Sequence, residues 1–151
     1  MIIAIDGPAG TGKSTIAKCI AKQENIAFLN SGSFYRGITM ALLDAKIDFD
    51  NKDAVLEYAK TVDMDYVHEH LILNGKDVDS QLHASRIDLH AAKVSCIPEI
   101  RIIINKKLRK ITEHLSVVCE GRDIATVVFP NADYKFYLDA SIDAQAMRRY
   151  K

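Results

Sequence analysis

The chain has 151 residues, the length of one ordinary domain and short for two. Hydrophobic residues make up 48% and charged residues 26%, a balance that excludes global disorder, a collagen-like repeat and a disulfide-dense scaffold. Twenty basic residues offset twenty acidic ones. The net positive charge on which a dedicated duplex-DNA binder relies is therefore missing, while a local anion site is compatible with it.

Cys19, Cys96 and Cys119 are odd in number and show no C-x-x-C spacing, so neither a disulfide framework nor a zinc ribbon is expected, and the cytosol is the default compartment. No apolar run reaches the roughly 18 residues of a membrane span. No basic segment precedes the short apolar start, so no signal peptide is expected.

In chain order, Met1–Asp6 is a β-branched apolar run that stops at Gly7, the pattern of a strand buried on both faces at the centre of a parallel sheet. From Lys13 to Lys22, Ile16, Ala17, Ile20 and Ala21 recur at helical spacing, so a helix follows a glycine-rich turn. Ile26–Leu29 reads as a second strand and Phe34–Ala45 as a second helix. Residues 62–78 alternate with period two and contain Asn74-Gly75, which predicts a small antiparallel patch with His68, Glu69 and His70 on an exposed strand. Ile97–Ile111 returns to helical periodicity with Pro98 near its start, where a missing N–H costs least. Ser116–Cys119 and Tyr134–Leu138 read as further strands separated by a loop. Ser141 caps a last helix with no stop signal before Lys151, so the chain is expected to end inside it. These elements together predict a doubly wound α/β sheet with a small antiparallel insertion.

Gly7–Ser14 reads GPAGTGKS and satisfies G-x-x-x-x-G-K-[ST] at every fixed position. The spacing suits phosphate, because the glycines let successive backbone N–H groups turn inward while the following helix presents its positive end. The expected nucleotide-binding residues are Gly7, Pro8, Ala9, Gly10, Thr11, Gly12, Lys13, Ser14 and Thr15. Lys13 reaches the β- and γ-phosphates and the Ser14 hydroxyl ligates Mg²⁺. The bland alternative is a glycine turn that merely caps a helix.

A phosphate loop names a donor and leaves the acceptor open. Seven of the twenty basic residues are arginine, whose planar fork suits bidentate phosphate recognition, although a solvated ion pair is the commoner fate of any one of them. Two stretches raise some arginines above that default: LNSGSFYRG at Leu29–Gly37 and CEGRDIATVVFPNADYKFYLDAS at Cys119–Ser141.

In these stretches the sequence resembles the bacterial cytidylate kinases, monomeric phosphate-loop enzymes that move the γ-phosphoryl group of ATP onto CMP or dCMP. The likeness runs along essentially the whole chain, through GPAGTGKS, the SGxxYR element, the hairpin ending NGKDV, the Arg86 region, IPEIR and GRD-I-x-T-V-V-F-P. The resemblance implies a P-loop kinase core over residues 1–151 with a monophosphate-binding insertion at about 37–100, and Mg²⁺ accompanying ATP. It implies that Ser31, Tyr35 and Arg36 line the acceptor site, with Arg36 on the acceptor phosphate, and that Arg122 is a second phosphate arginine. Arg101 and Asp123 are implied as readers of the cytosine ring. Lys13, Arg36 and Arg122 would offset transition-state charge. No general base is required, since the acceptor oxygen is already an anion. Tyr35 is equally readable as a core aromatic, Glu120 as a water-mediated magnesium holder or a structural acid, and Cys119 as a small buried hydrophobe. His68 and His70 lack metal-ligand spacing. The basic run Lys106, Lys107, Arg109 and Lys110 reads as a solvated helix face, so the expected partners are ATP, CMP and dCMP, with no nucleic acid and no membrane.

Asn30, Ala92 and Gln145 depart from the family's pattern. Asn30 replaces an aspartate and Gln145 an arginine. Ala92 replaces a serine that helps read the cytosine amino group, so weaker discrimination against uracil is expected. The resemblance also implies a further C-terminal portion in family members, with an arginine-bearing lid, more acceptor-site residues and a last strand and helix. The expected fold of this sequence lacks that lid and edge strand, so slow or absent turnover and self-association through an unpaired sheet edge are expected of the polypeptide alone. A non-catalytic nucleotide-binding module and a P-loop kinase for another small acceptor stand as alternatives.

Overall fold

The structure is a computed structural model and describes residues 1–149. In chain order its elements are β1 (Ile2–Asp6), α1 (Lys13–Glu24), β2 (Ala27–Asn30), α2 (Ser31–Asp44), α3 (Lys52–Thr61), β3 (Met64–Val67), β4 (His70–Leu73), β5 (Lys76–Asp77), α4 (Ser85–Ser95), α5 (Pro98–Thr112), β6 (Val117–Gly121), β7 (Tyr134–Tyr137) and α6 (Ile142–Arg149). A 3₁₀ turn at Asp79–Gln81 and a π turn at Ile124–Val128 join them. The chain forms two compact units, Met1–Ser31 with the segment from Thr112 onward, and Gly32–Ile111.

The first unit holds a four-stranded parallel sheet in the order β2-β6-β1-β7. Strand β1 is central in the sheet and its successive residues from Ile3 to Asp6 are all buried, so both faces are covered, which is why its sequence is a nearly continuous apolar run. Ile3, Ile5, Ala17, Ala21, Phe28 and Val118 form its core. The small side chains of Ala17 and Ala21, one helical turn apart, form the buried side of α1. Asn25 ends α1 in the left-handed conformation (φ 51°) and donates its N–H to the Ala21 carbonyl. Asp6 lies opposite Gly121, so the loops that follow β1 and β6 leave the sheet side by side, at the strand ends where α/β sheets bind ligands.

The second unit contains α2 to α5 and a three-stranded antiparallel sheet, β3-β4-β5. Its buried residues follow helical spacing: Phe34, Ile38 and Leu42 on α2, then Ile100, Ile104 and Leu108 on α5. Full burial of side chains this size contributes about 1.5–3 kcal/mol each. A Cβ on Gly37 would come within 2.5 Å of a Leu71 methyl, so this glycine sets how closely α2 approaches β4.

Several expectations need correction. The SGxxYR element is the first turn and a half of α2, which begins at Ser31 and not at Phe34. His68 and Glu69 are not strand residues: both have positive φ, 49° and 67°, and form the turn between β3 and β4. Helices α3 and α4 are additional to the expected elements, and the loop after β6 contains a π turn. The Asn74-Gly75 turn stands as expected, with φ of 48° and 77°. Ser141 caps α6, its hydroxyl accepting from the Ala144 N–H at 3.3 Å. The expectation that the chain ends inside a helix concerns Tyr150 and Lys151 and lies outside the described residues. Among the described residues no helix is long and apolar enough to cross a membrane.

Candidate active site

In the first unit the segment after β1 turns through Gly7, Gly10 and Gly12, all with positive φ, into α1. Gly12, at φ 93° and ψ 13°, is the residue before the first helical turn, and no side chain caps that turn. An uncapped helix start after a glycine turn is an arrangement in which backbone N–H groups and the helix dipole can face an anion. The Thr11 hydroxyl and the Lys13 ammonium both donate to the Pro8 carbonyl, at 2.9 and 2.6 Å, so Lys13 folds back along the loop. Lys13 is 9% exposed. Burial pulls its pKa below the usual lysine value and the Arg122 charge acts in the same direction, while Glu120 and Asp6 oppose them.

The Ser14 hydroxyl donates to Glu120 Oε1 at 2.5 Å. Glu120 is buried and sits on β6 opposite Ile5, so an acid from the sheet meets the first turn of α1. A hydroxyl and a carboxylate in contact are the hard oxygen donors that Mg²⁺ prefers. Ser31 donates its hydroxyl to the Glu120 carbonyl at 3.0 Å and is itself buried. Arg122 is exposed and Asp123 half-buried in the bend after β6. Cys119 is fully buried, and burial, with the Glu120 and Asp6 charges, pushes its thiol far above the usual range. It is an inert core residue, as expected.

In the second unit Arg36 is held on α2 by the Leu82 carbonyl at 3.0 Å and by an ion pair with Asp88. The Arg101 guanidinium lies 5.7 Å from the centre of the Tyr35 ring and donates to the Ser95 carbonyl at 3.1 Å. Tyr35 is half-buried, whereas its neighbour Phe34 is the core aromatic. Ala92 is exposed on α4. Arg86 pairs with Asp44 at 2.7 Å. Among the described residues no group of three or more histidine, cysteine or acidic side chains is arranged to hold a metal ion, and His70 instead pairs with Asp77 at 2.6 Å.

Thus Gly7 to Thr15, Ser31, Arg122 and Asp123 lie in the first unit, and Tyr35, Arg36 and Arg101 in the second. Two further residues stand beside the expected ones. Asp88 lies one helical turn before Ala92 and bonds the guanidinium of Arg36. Asp6 is 4% exposed, and its two carboxylate oxygens accept from the Ile124 and Ala125 N–H groups at 2.7 and 2.9 Å. Its signal was available: an acid closing a strand buried on both faces needs a partner.

Residues 3–151 match the family model described as cytidylate kinase. Among curated relatives, the cytidylate kinase of Caldanaerobacter subterraneus is 44% identical over 99% of this chain and 66% of its own length. Those of Fusobacterium nucleatum and Clostridioides difficile are 42% and 38% identical, over 99% and 100% of this chain and 69% and 70% of theirs. A solved structure from Thermus thermophilus aligns with a TM-score of 0.44 and 19% identity over 98% of this chain and 70% of its own. This chain thus spans about two thirds of the length of the curated relatives it matches. With its phosphate loop, its buried acid on Ser14 and a family match that runs nearly end to end, the chain belongs to the cytidylate kinase family.

Proposed function

We propose that this chain carries the nucleotide-binding machinery for moving the γ-phosphoryl group of ATP onto CMP or dCMP. The observation that carries the reading is the Ser14–Glu120 hydrogen bond, which ties the phosphate loop to the strand leading into Arg122. Loop amides between Gly7 and Ser14, Pro8 excepted, hold the donor phosphates, with Lys13 swinging from the Pro8 carbonyl to the β- and γ-oxygens. Ser14, with Glu120 through water, would hold Mg²⁺, which supplies charge neutralisation between donor oxygens. Arg36 and Arg122 grip the acceptor phosphate, and Ser31, Tyr35, Arg101 and Asp123 orient the nucleoside. Two polyanions repel each other, so cationic side chains positioned before reaction do most of the catalytic work. The acceptor oxygen is ionised at neutral pH and attacks without a base.

The test is calorimetric titration of CMP, dCMP, UMP and AMP in the presence of ATP and Mg²⁺, with product formation followed in parallel. CMP or dCMP binds tightest, and Lys13→Ala weakens ATP by at least about tenfold, the loss of one charge-assisted contact. Equal affinity for AMP would redirect the reading to another acceptor. An unchanged ATP affinity in Lys13→Ala would leave the phosphate loop without a role.

A further inference from the structure

We propose that Asp6 is a positioning residue for phosphoryl transfer, acting through the turn that presents Arg122; this rests on the function proposed above. Asp6 is the last residue of β1, opposite Gly121 of β6 and Tyr137 of β7. It is buried at the centre of the sheet's ligand-facing end, where a carboxylate without partners would cost several kcal/mol. Its partners are two amides, one on each oxygen: Ile124 at 2.7 Å and Ala125 at 2.9 Å.

Those amides open the π turn Ile124–Val128, which spans five residues. A turn this short does not hold itself, since nucleation costs more than its few hydrogen bonds return. Its leading N–H groups would be orphans without a cap. The residue in the capping position, Asp123, has φ −143° and ψ 30° and makes no side-chain cap. Asp6 supplies the cap from a different strand, 118 and 119 residues away in sequence. Arg122 and Asp123 are therefore fixed from both sides, by the pairing of Gly121 with Asp6 and by the Asp6 carboxylate on the turn that follows.

A second consideration separates this role from plain structural capping. A buried negative charge next to an anion site works against phosphate binding, and a neutral Asn or Ser would cap at less electrostatic cost. The carboxylate sets a separate oxygen under each of the two N–H groups, whereas Asn and Ser each offer a single acceptor oxygen.

The experiment combines a double-mutant cycle with amide exchange on the full chain. Asp6→Ala weakens CMP binding by about tenfold, in the range expected when one charge-assisted contact is misplaced, and leaves the affinity for ATP with Mg²⁺ no weaker than in the parent. Arg122→Ala weakens CMP similarly. The double variant is no worse than Arg122→Ala alone, because Asp6 acts through Arg122. Hydrogen exchange at the Ile124 and Ala125 amides rises at least tenfold in Asp6→Ala, and Asp6→Asn, which keeps one acceptor, gives an intermediate value in both readouts. Additive losses, unchanged CMP affinity, or a parallel loss of ATP affinity overturn the proposal. If the parent binds neither nucleotide, the functional reading fails, and the exchange rates alone decide whether Asp6 holds the turn. Should Asp6→Ala not fold, the Asp6→Asn comparison carries the same decision.

Discussion

At the scale of single residues, motif and burial carry different information. The phosphate loop was legible because every constrained position is spelled out between Gly7 and Ser14. Asp6 was marked only as a buried acid in need of a partner and Asp88 not at all, because the partners of both are distant in sequence. Asn105 shows the same problem from the side of stability. It lies on α5, 8% exposed, and its Oδ1 has no hydrogen-bond partner. A buried acceptor left unpaired costs about 1–3 kcal/mol, whereas an apolar group of similar size costs nothing of that kind. Asn105→Leu is therefore expected to stabilise the protein by about 1 kcal/mol, read as a higher urea midpoint at unchanged slope. A lower midpoint would show that the oxygen is satisfied in solution.

Among the elements, helices attached to a recognised motif or carrying a long apolar repeat were readable, and short helices with only two buried positions were not. Helices α1, α2 and α5 repeat apolar residues at three- and four-residue spacing. Helix α3 buries only Val55 and Ala59, and α4 only Ile87 and Val94 with Leu89 left 79% exposed. Their start signals were present but quiet, as with Asn51, which accepts from the Ala54 N–H at 3.1 Å. The β3–β4 turn was missed because its His68-Glu69 pair lacks the Asn-Gly chemistry that betrays the β4–β5 turn, yet adopts similar positive φ values. The hairpin β4–β5 also offers a pH test. The hydrogen bond and charge of Asp77 raise the pKa of His70 above its ordinary 6.5, and His70 with the Asp79 N–H lowers that of Asp77 below 3.8. The histidine's contribution to stability is full below pH 6.5 and disappears as pH rises through its raised pKa; the aspartate's is full above 3.8 and disappears as pH falls through its lowered one. Both are present between those values. NMR titration of His70 is expected to show a midpoint above 6.5 that drops toward it in Asp77→Asn, and a midpoint indifferent to that substitution would remove the pair from solution.

For the whole molecule, the sheet order β2-β6-β1-β7 was not predictable strand by strand. Strands β1 and β6 are read as buried runs, but only the three-dimensional pairing shows their ends level at Asp6 and Gly121. The division into two units explains why the candidate site could be listed from motifs and yet not assembled from them: Lys13 and Arg122 belong to one unit and Arg36 and Arg101 to the other. The proposed reaction assigns phosphate contacts to Lys13, Arg36 and Arg122. An analogue that joins adenosine and cytidine through five phosphates tests this most directly, since it presents donor and acceptor as a single polyanion. Titrated with Mg²⁺, it is expected to bind more tightly than ATP or CMP alone, and to lose about tenfold or more in each of Lys13→Ala, Arg36→Ala and Arg122→Ala. Unchanged affinity in both arginine variants would contradict the account.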